Sequence, residues 1–232
     1  MVYYTRQKGD GMTLINTTTI IDQVKTYIDL KEYGKPILLT DVVHNLIDEP
    51  EKFNKARNTV SAYLNRMVRN NELKKLDDGV FYKSKKNLFG ETPIDYIDLI
   101  NSIYFYDIQK NERIGYRVGA SVLANIGISN NLENGVEIVT NNFHKKKVID
   151  TINQNIHLKK PVIEVNNENY AYLQLLDTIK NIDKFHLTND HVGEKLVDYM
   201  DKNGIKVNKL FKFARDQYNK KTIAHLIELL IR

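Results

Sequence analysis

Asn54-Lys55-Ala56-Arg57-Asn58-Thr59-Val60-Ser61-Ala62-Tyr63-Leu64-Asn65-Arg66-Met67-Val68-Arg69-Asn70-Asn71 is the stretch on which the fold of this chain turns. Its apolar residues Ala56, Val60, Tyr63, Leu64, Met67 and Val68 recur at three- and four-residue steps. At 100° per residue they fill an arc of roughly 140°, the core-facing stripe of an amphipathic helix. The opposite face carries Lys55, Asn58, Thr59, Ala62, Asn65, Arg66 and Arg69, and no acid occurs before Glu72. On its C-terminal side, Leu73–Asp78 and Val80-Phe81-Tyr82 flank Asp78-Gly79, a dipeptide suited to the positive φ of a tight hairpin turn. On its N-terminal side, Thr17–Thr19 offers capping hydroxyls to a helix through Ile20, Ile21, Val24, Tyr27, Ile28 and Leu30. Gly34 and Pro36 end that segment. A short apolar run, Ile37–Leu39, follows. Thr40 or Asp41 then caps a brief helix through Val42, Val43, Leu46 and Ile47, which stops before Pro50.

Helix, short strand, helix, basic helix and hairpin is the layout of a winged helix-turn-helix, whose third helix enters the major groove of DNA. The side chains suit that task. Arg forks onto guanine, Asn pairs with adenine, and Lys neutralises phosphate. The candidate DNA-binding set is Lys55, Asn58, Thr59, Ala62, Asn65, Arg66 and Arg69 on the helix. Lys74, Lys75, Lys83, Lys85 and Lys86, in and after the hairpin, are candidates for a phosphate track. Two other readings stay open: a winged helix that docks a protein instead of DNA, and a basic face that is merely solvated.

The 232 residues carry a net charge of +5, unevenly sorted. From Lys52 to Lys86 ten Lys or Arg stand against three acids, and from Lys202 to Lys221 seven stand against one, so the remainder is net acidic. Sorting of this kind is an electrostatic footprint for a polyanion. With 42% hydrophobic and 27% charged residues the chain has the composition of a globular protein, not a disordered one. The absence of Cys excludes disulfides, thiolate metal sites and cysteine nucleophiles. No secretory signal or bilayer-spanning run is present, which makes the cytoplasm the expected location and a membrane partner unexpected.

Residues 1–16 have no convincing period and read as an N-terminal arm; 17–90 form the winged-helix region and 91–232 a second domain. There Thr92 and Pro93 read as N-cap and first residue of a helix through Ile94, Ile97, Ile100, Ile103 and Tyr104. A short helix through Ala120–Ala124, a strand at Val136–Thr140, a helix at Val148–Ile156 and a strand at Val162–Val165 follow. Helices near Leu173–Ile182, Val192–Asn203, Val207–Tyr218 and Thr222–Ile231 close the chain. The expected class is therefore α+β: an N-terminal winged helix-turn-helix, then a mixed, mostly helical α+β domain. Lys206, Lys209, Lys212 and Arg215, at three-residue intervals, are a possible secondary DNA or partner contact, with a solvated amphipathic helix as the alternative.

Nothing predicts an enzyme. The six His residues include no metalloprotease spacing, and His186 and His191 make a poor metal pair. Phosphate-loop and dinucleotide glycine patterns are missing. Asp150 with Glu164-Val165-Asn166 outlines a nuclease core but has Asn166 where such cores place Lys. No catalytic residue, metal or cofactor is expected.

Two segments resemble a known family. The first is Leu64, Leu73-Lys74-Lys75-Leu76, Gly79-Val80-Phe81-Tyr82-Lys83 and Phe89-Gly90-Glu91 with Pro93. The second is Gly119-Ala120-Ser121-Val122-Leu123-Ala124-Asn125-Ile126-Gly127, followed by Val136-Glu137-Ile138-Val139-Thr140-Asn141. In order and spacing they are similar to the AbiEi-type antitoxins of type IV, abortive-infection toxin–antitoxin operons. The similarity spans most of 17–232, and beyond Tyr170 rests on helical character alone. It implies a transcriptional repressor that binds inverted repeats in its own operon promoter through the winged helix. It also implies a C-terminal antitoxin domain that counteracts a nucleotidyltransferase-like toxin without stable binding. The sequence departs from such regulators after the basic helix, where Asn70-Asn71 replaces the frequent Gly; Asn tolerates the left-handed conformation.

Overall fold

A computed structural model describes residues 19–47, 49–88, 90–130, 135–144, 156–187 and 191–231. The chain is mixed α+β and divides into two compact units, residues 1–99 and 100–232. Among the described residues no helix is long and apolar enough to cross a membrane. The expected arm at 1–16 lies outside the described residues.

The first unit begins with α1 (Ile20–Leu30), closed at its start by a reciprocal capping box between Thr19 and Asp22. Strand β1 (Pro36–Leu38), α2 (Leu39–Leu46), a 3₁₀ turn (Pro50–Lys52) and α3 (Phe53–Arg69) follow, then β2 (Lys74–Asp77) and β3 (Val80–Tyr82). The sheet order is β1-β3-β2 with antiparallel pairs. The Asp78-Gly79 turn forms, with Gly79 at φ 77°. Thr40 and Asp41 lie inside the first turn of α2, and the cap position is Leu38, whose side chain makes no capping bond. There the Leu39 N–H donates to Gly79 O at 2.8 Å, so the hairpin turn satisfies one of the N–H groups that the helix itself leaves unpaired. Val24 and Ile28 of α1, Val42 and Val43 of α2, Val60 and Leu64 of α3, Ile37 and Phe81 form one buried cluster. The 3.6-residue stripe read in the sequence is the inner face of α3.

The pair β4 (Lys86–Asn87) and β5 (Gly90–Glu91) leads to α4 (Tyr96–Ile100). The expected Thr92–Pro93 start is displaced: Asp95 caps this helix, its Oδ1 accepting the Ile97 and Asp98 N–H groups at 3.0 and 3.1 Å. Thr92 instead donates its hydroxyl to Lys85 O at 3.2 Å. The division of the chain falls at Leu99 and not at the expected 90, because residues 92–98 are tied back to the first unit. Asp95 N–H donates to Gly34 O, and the Lys35 ammonium bridges the Asp98 and Asp95 carboxylates. Those hydrogen bonds, Asp98 first, hold the ammonium well above the usual lysine range. Asp95 is lowered by the backbone N–H of Asp98 and then by Lys35. Gly34, at φ 83°, has Pro93 O so close that a Cβ there would clash.

The second unit opens with a π-helical stretch, Asn101–Phe105, and the short pair β6 (Tyr106–Asp107) and β7 (Glu112–Arg113). Strand β8 (Gly115–Val118) is antiparallel to β9 (Val136–Thr140), and β10 (Ile156–Lys159) is parallel to β9. The strand expected at Val162–Val165 is not formed; the third strand is Ile156–Lys159. Most of the helix expected at Val148–Ile156 lies outside the described residues, but Ile156 itself is in a strand. Between β8 and β9 lies α5 (Ala120–Ile126), ended by Gly127 in the left-handed region. Four helices complete the unit: α6 (Tyr170–Lys180), α7 (Val192–Lys202), α8 (Val207–Gln217) and α9 (Lys220–Ile231). Leu175, Leu176, Leu196, Leu210 and Leu226 are among the side chains of its main apolar cluster. One carboxylate is enclosed here. Asp177 accepts the Tyr116 hydroxyl at 2.8 Å, and burial pushes its pKa up. The buried Tyr218 hydroxyl feels the same carboxylate but makes no well-formed hydrogen bond.

Candidate nucleic-acid interface

The seventeen residues of α3 contain no acid and end in a stop built without glycine. Asn71 takes φ 61°, its N–H donates to Val68 O, and the Glu72 N–H reaches back to Met67 O at 2.9 Å. That crossed pair is a Schellman closure, with Asn in the position Gly most often holds. It turns the chain so that Leu73 is buried in the same cluster as Leu64 and Met67. The inner face of α3 is thereby fixed from both ends, and the phase of the outer face with it.

That outer face spans about 120° at 3.6 residues per turn. Lys55, Asn58, Ala62, Arg66 and Arg69 are exposed, and Thr59 and Asn65 are half-buried. The half-buried pair is turned onto the helix itself: Thr59 donates to Lys55 O at 3.1 Å and Asn65 donates to Ser61 O at 2.8 Å. The Arg66 guanidinium carbon lies over the Tyr63 ring, 4.9 Å from its centroid, a cation–π contact. At the centre of the face stands Ala62, too small to hold a partner backbone or groove wall away. Exposed Arg57 and Asn54, near the start of α3, extend the basic and amide character of the helix beyond that face.

The hairpin lysines behave differently. Lys74 pairs with Glu91 at 3.1 Å and Lys75 with Asp78 at 2.8 Å. Lys83 is turned inward to the end of α1, where its ammonium donates to Ile28 O and Asp29 O at 3.2 and 3.1 Å, answering two terminal carbonyls. It also lies over the Tyr33 ring, as does Lys85, at 5.2 and 5.1 Å. Lys86 is exposed in β4, opposite Glu91. The turn itself presents Asp77 and Asp78, charges that a phosphate track would repel. The structure thus gathers the α3 residues on one surface and gives Lys74, Lys75 and Lys83 partners of their own.

In the second unit Lys206, Lys209, Lys212 and Arg215 are all exposed on or beside α8. Lys209 covers the Tyr172 ring at 5.2 Å, and Arg215 pairs with Asp216 at 3.3 Å. His191 pairs with Glu194 at 3.3 Å, and Glu164 is exposed outside any strand. Asp150 lies outside the described residues. Among the described residues no group of His, Asp or Glu is arranged to hold a metal ion.

Comparison with known proteins adds no relative: no family model, no curated protein and no solved structure matches the chain.

Proposed function

We propose that the first unit is a winged helix-turn-helix that places α3 in the major groove of duplex DNA, and that the chain is a transcriptional repressor. The observation that carries this reading is the acid-free outer face of α3, held in phase by a buried inner stripe and a closed C-terminus. The element order, with a β1-β3-β2 sheet behind three helices, supports it. Exposed Asn58 is suited to reading a base edge; Arg66 and Arg69 are suited to phosphates. From the resemblance stated above we further propose that the protein is the cytoplasmic antitoxin of a type IV, abortive-infection pair. In this reading it represses its own operon through inverted repeats and counteracts a nucleotidyltransferase-like toxin.

Mobility shift of the DNA upstream of its own gene, across a salt series, tests the repressor. Retention of that duplex at salt concentrations that release random duplex supports it, and equal release of both removes it. Growth rescue on co-expression with a neighbouring nucleotidyltransferase-like gene tests the antitoxin; unrelieved toxicity removes that part alone. A second reading, a winged-helix adaptor that docks a protein, is favoured by the acidic Asp77-Asp78 turn and by the exposed apolar side chains Leu88 and Ile97. A stoichiometric protein partner that purifies free of nucleic acid would select it.

A further inference from the structure

The second unit contains a cleft of about 550 Å³ whose lining includes Arg113, Arg117, Phe105, Tyr106, Ser121 and Gln174. Its size is that of a small-molecule site. Its lining holds two guanidinium groups and no carboxylate, and neither guanidinium has an ion-pair partner among the described residues. Two fixed cations facing one concavity, with low-dielectric aromatic walls, concentrate positive potential there.

The two arginines are held differently, and the difference specifies a ligand. Arg113 is stacked on two rings, Tyr106 and Tyr170, each 4.8 Å from the guanidinium carbon. With two rings against its guanidinium, what remains for a ligand in the cleft is its N–H donors, matched to the forked oxygens of a phosphate. Arg117 stacks on one ring only, Phe105, at 5.6 Å. Arg117 also lines the cleft, so a flat group entering there meets its guanidinium, and nucleic-acid bases stack on guanidinium planes in this way. Gln174 is locked beside it: its amide donates to Arg117 O at 2.9 Å and its oxygen accepts from Tyr199 at 3.2 Å. The exposed hydroxyl of Ser121 lies in the same lining.

Backbone irregularity concentrates around the same place. The π-helical stretch Asn101–Phe105 supplies lining residues from both of its ends. Gly119, between Arg117 and Ser121, sits at φ 87°, ψ −146°, a conformation close to glycine-only territory. Both departures are of the kind found at ligand sites.

We propose that this cleft binds a nucleoside phosphate, Arg113 gripping the phosphate and the guanidinium of Arg117 stacking on the base. The site belongs to the second unit and stands independently of what α3 binds. Isothermal titration of the full-length protein with ATP, GTP, CTP and UTP, and with the corresponding nucleosides and inorganic pyrophosphate as the two halves of the ligand, tests it. At least one nucleotide is expected to bind one-to-one, with its nucleoside and pyrophosphate each weaker by roughly tenfold or more. Ser121→Glu, which puts a like charge into the lining at an exposed position, is expected to weaken the nucleotide by roughly tenfold or more while leaving the ligand-free melting temperature unchanged. Arg117→Lys keeps the charge but loses the plane, so it is expected to weaken the nucleotide more than pyrophosphate. Arg66→Ala is expected to leave nucleotide binding intact. No binding of any nucleotide at millimolar concentration, pyrophosphate binding as tight as the nucleotide, or undiminished binding in Ser121→Glu would each overturn the proposal.

Discussion

Two helices in the basic stretches of this protein, α3 and α8, are built on different plans. On α3 the outward residues from Lys55 to Arg69 recur at three- and four-residue steps, so they stay in one strip of about 120°. On α8 the basic residues recur strictly every third position, and at 100° per residue such a series drifts by about 60° at each step. Lys206 and Arg215 therefore point to roughly opposite sides of the helix. Neighbours add to the contrast: α3 has no acid along its length, whereas Arg215 is answered by Asp216 and Lys209 is laid over Tyr172. Positive charge alone does not make equal surfaces. The period decides whether the charge can meet a rigid groove or merely surround a helix with counterions.

That contrast can be broken or sharpened by experiment. The largest effects are expected in the cores, where the two helices are alike. Leu64→Ala and Leu210→Ala each empty a fully buried position, and each should cost about 2–5 kcal/mol in chemical unfolding. Only Leu64→Ala should also abolish DNA retention; loss in both would dissolve the distinction. Next comes Asn58→Ala, expected to lose about 1–3 kcal/mol of binding, and only for duplexes that keep one particular base pair. A uniform loss over all sequences would make Asn58 a backbone contact. For Arg66→Ala the expected loss is sequence-independent, and the slope of log affinity against log salt should fall by about one unit. Lys212→Ala, on the drifting stripe of α8, should change neither affinity nor slope, and its stability should stay within about 0.5 kcal/mol of the parent.

A last test concerns the buried carboxylate of the second unit, for which the first unit has no counterpart among its described residues. Asp177 has its folded pKa raised by burial above the ordinary value of 3.8. The folded state therefore binds this proton more tightly than the unfolded chain does. The resulting stability is full below about pH 4 and is lost as the pH rises through the raised pKa. Asp177→Asn keeps an oxygen to accept the Tyr116 hydroxyl and removes the charge. Its melting temperature relative to the parent should therefore climb with pH from 4 upward. A pH-independent difference would mean that the carboxylate has the same pKa in the folded and the unfolded chain.

Much of the first unit could be read from residue order. The phase of α3, the Asp78-Gly79 turn and the left-handed Asn71 depend on neighbours a few residues away, and local spacing records such neighbours. The same holds for the Gly127 stop and strand Val136–Thr140. Failures occurred where a distant group chose between local options. Thr92 and Asp95 are both competent caps. Asp95 took the role while its carboxylate was also engaged by Lys35, sixty positions earlier. Ile156-His157-Leu158-Lys159 alternates apolar and polar residues while Val162–Val165 is a mostly apolar run, and pairing with β9 selected the former. Lys83 is a cation like its neighbours in the sequence, and only the fold gives it two carbonyls at the end of α1. The Arg113 and Arg117 cleft gave no sequence signal beyond two arginines four apart in a strand-like run.

By itself the sequence determined which side of each amphipathic helix faces inward, because that follows from a period of 3.6 and the cost of leaving apolar surface in water. It determined the charge of the outer side of α3 for the same reason. Tertiary structure alone decided which cations remain available, since ammonium and guanidinium groups are long, mobile and paired by whatever carbonyl, carboxylate or ring the folded chain brings within a few ångströms.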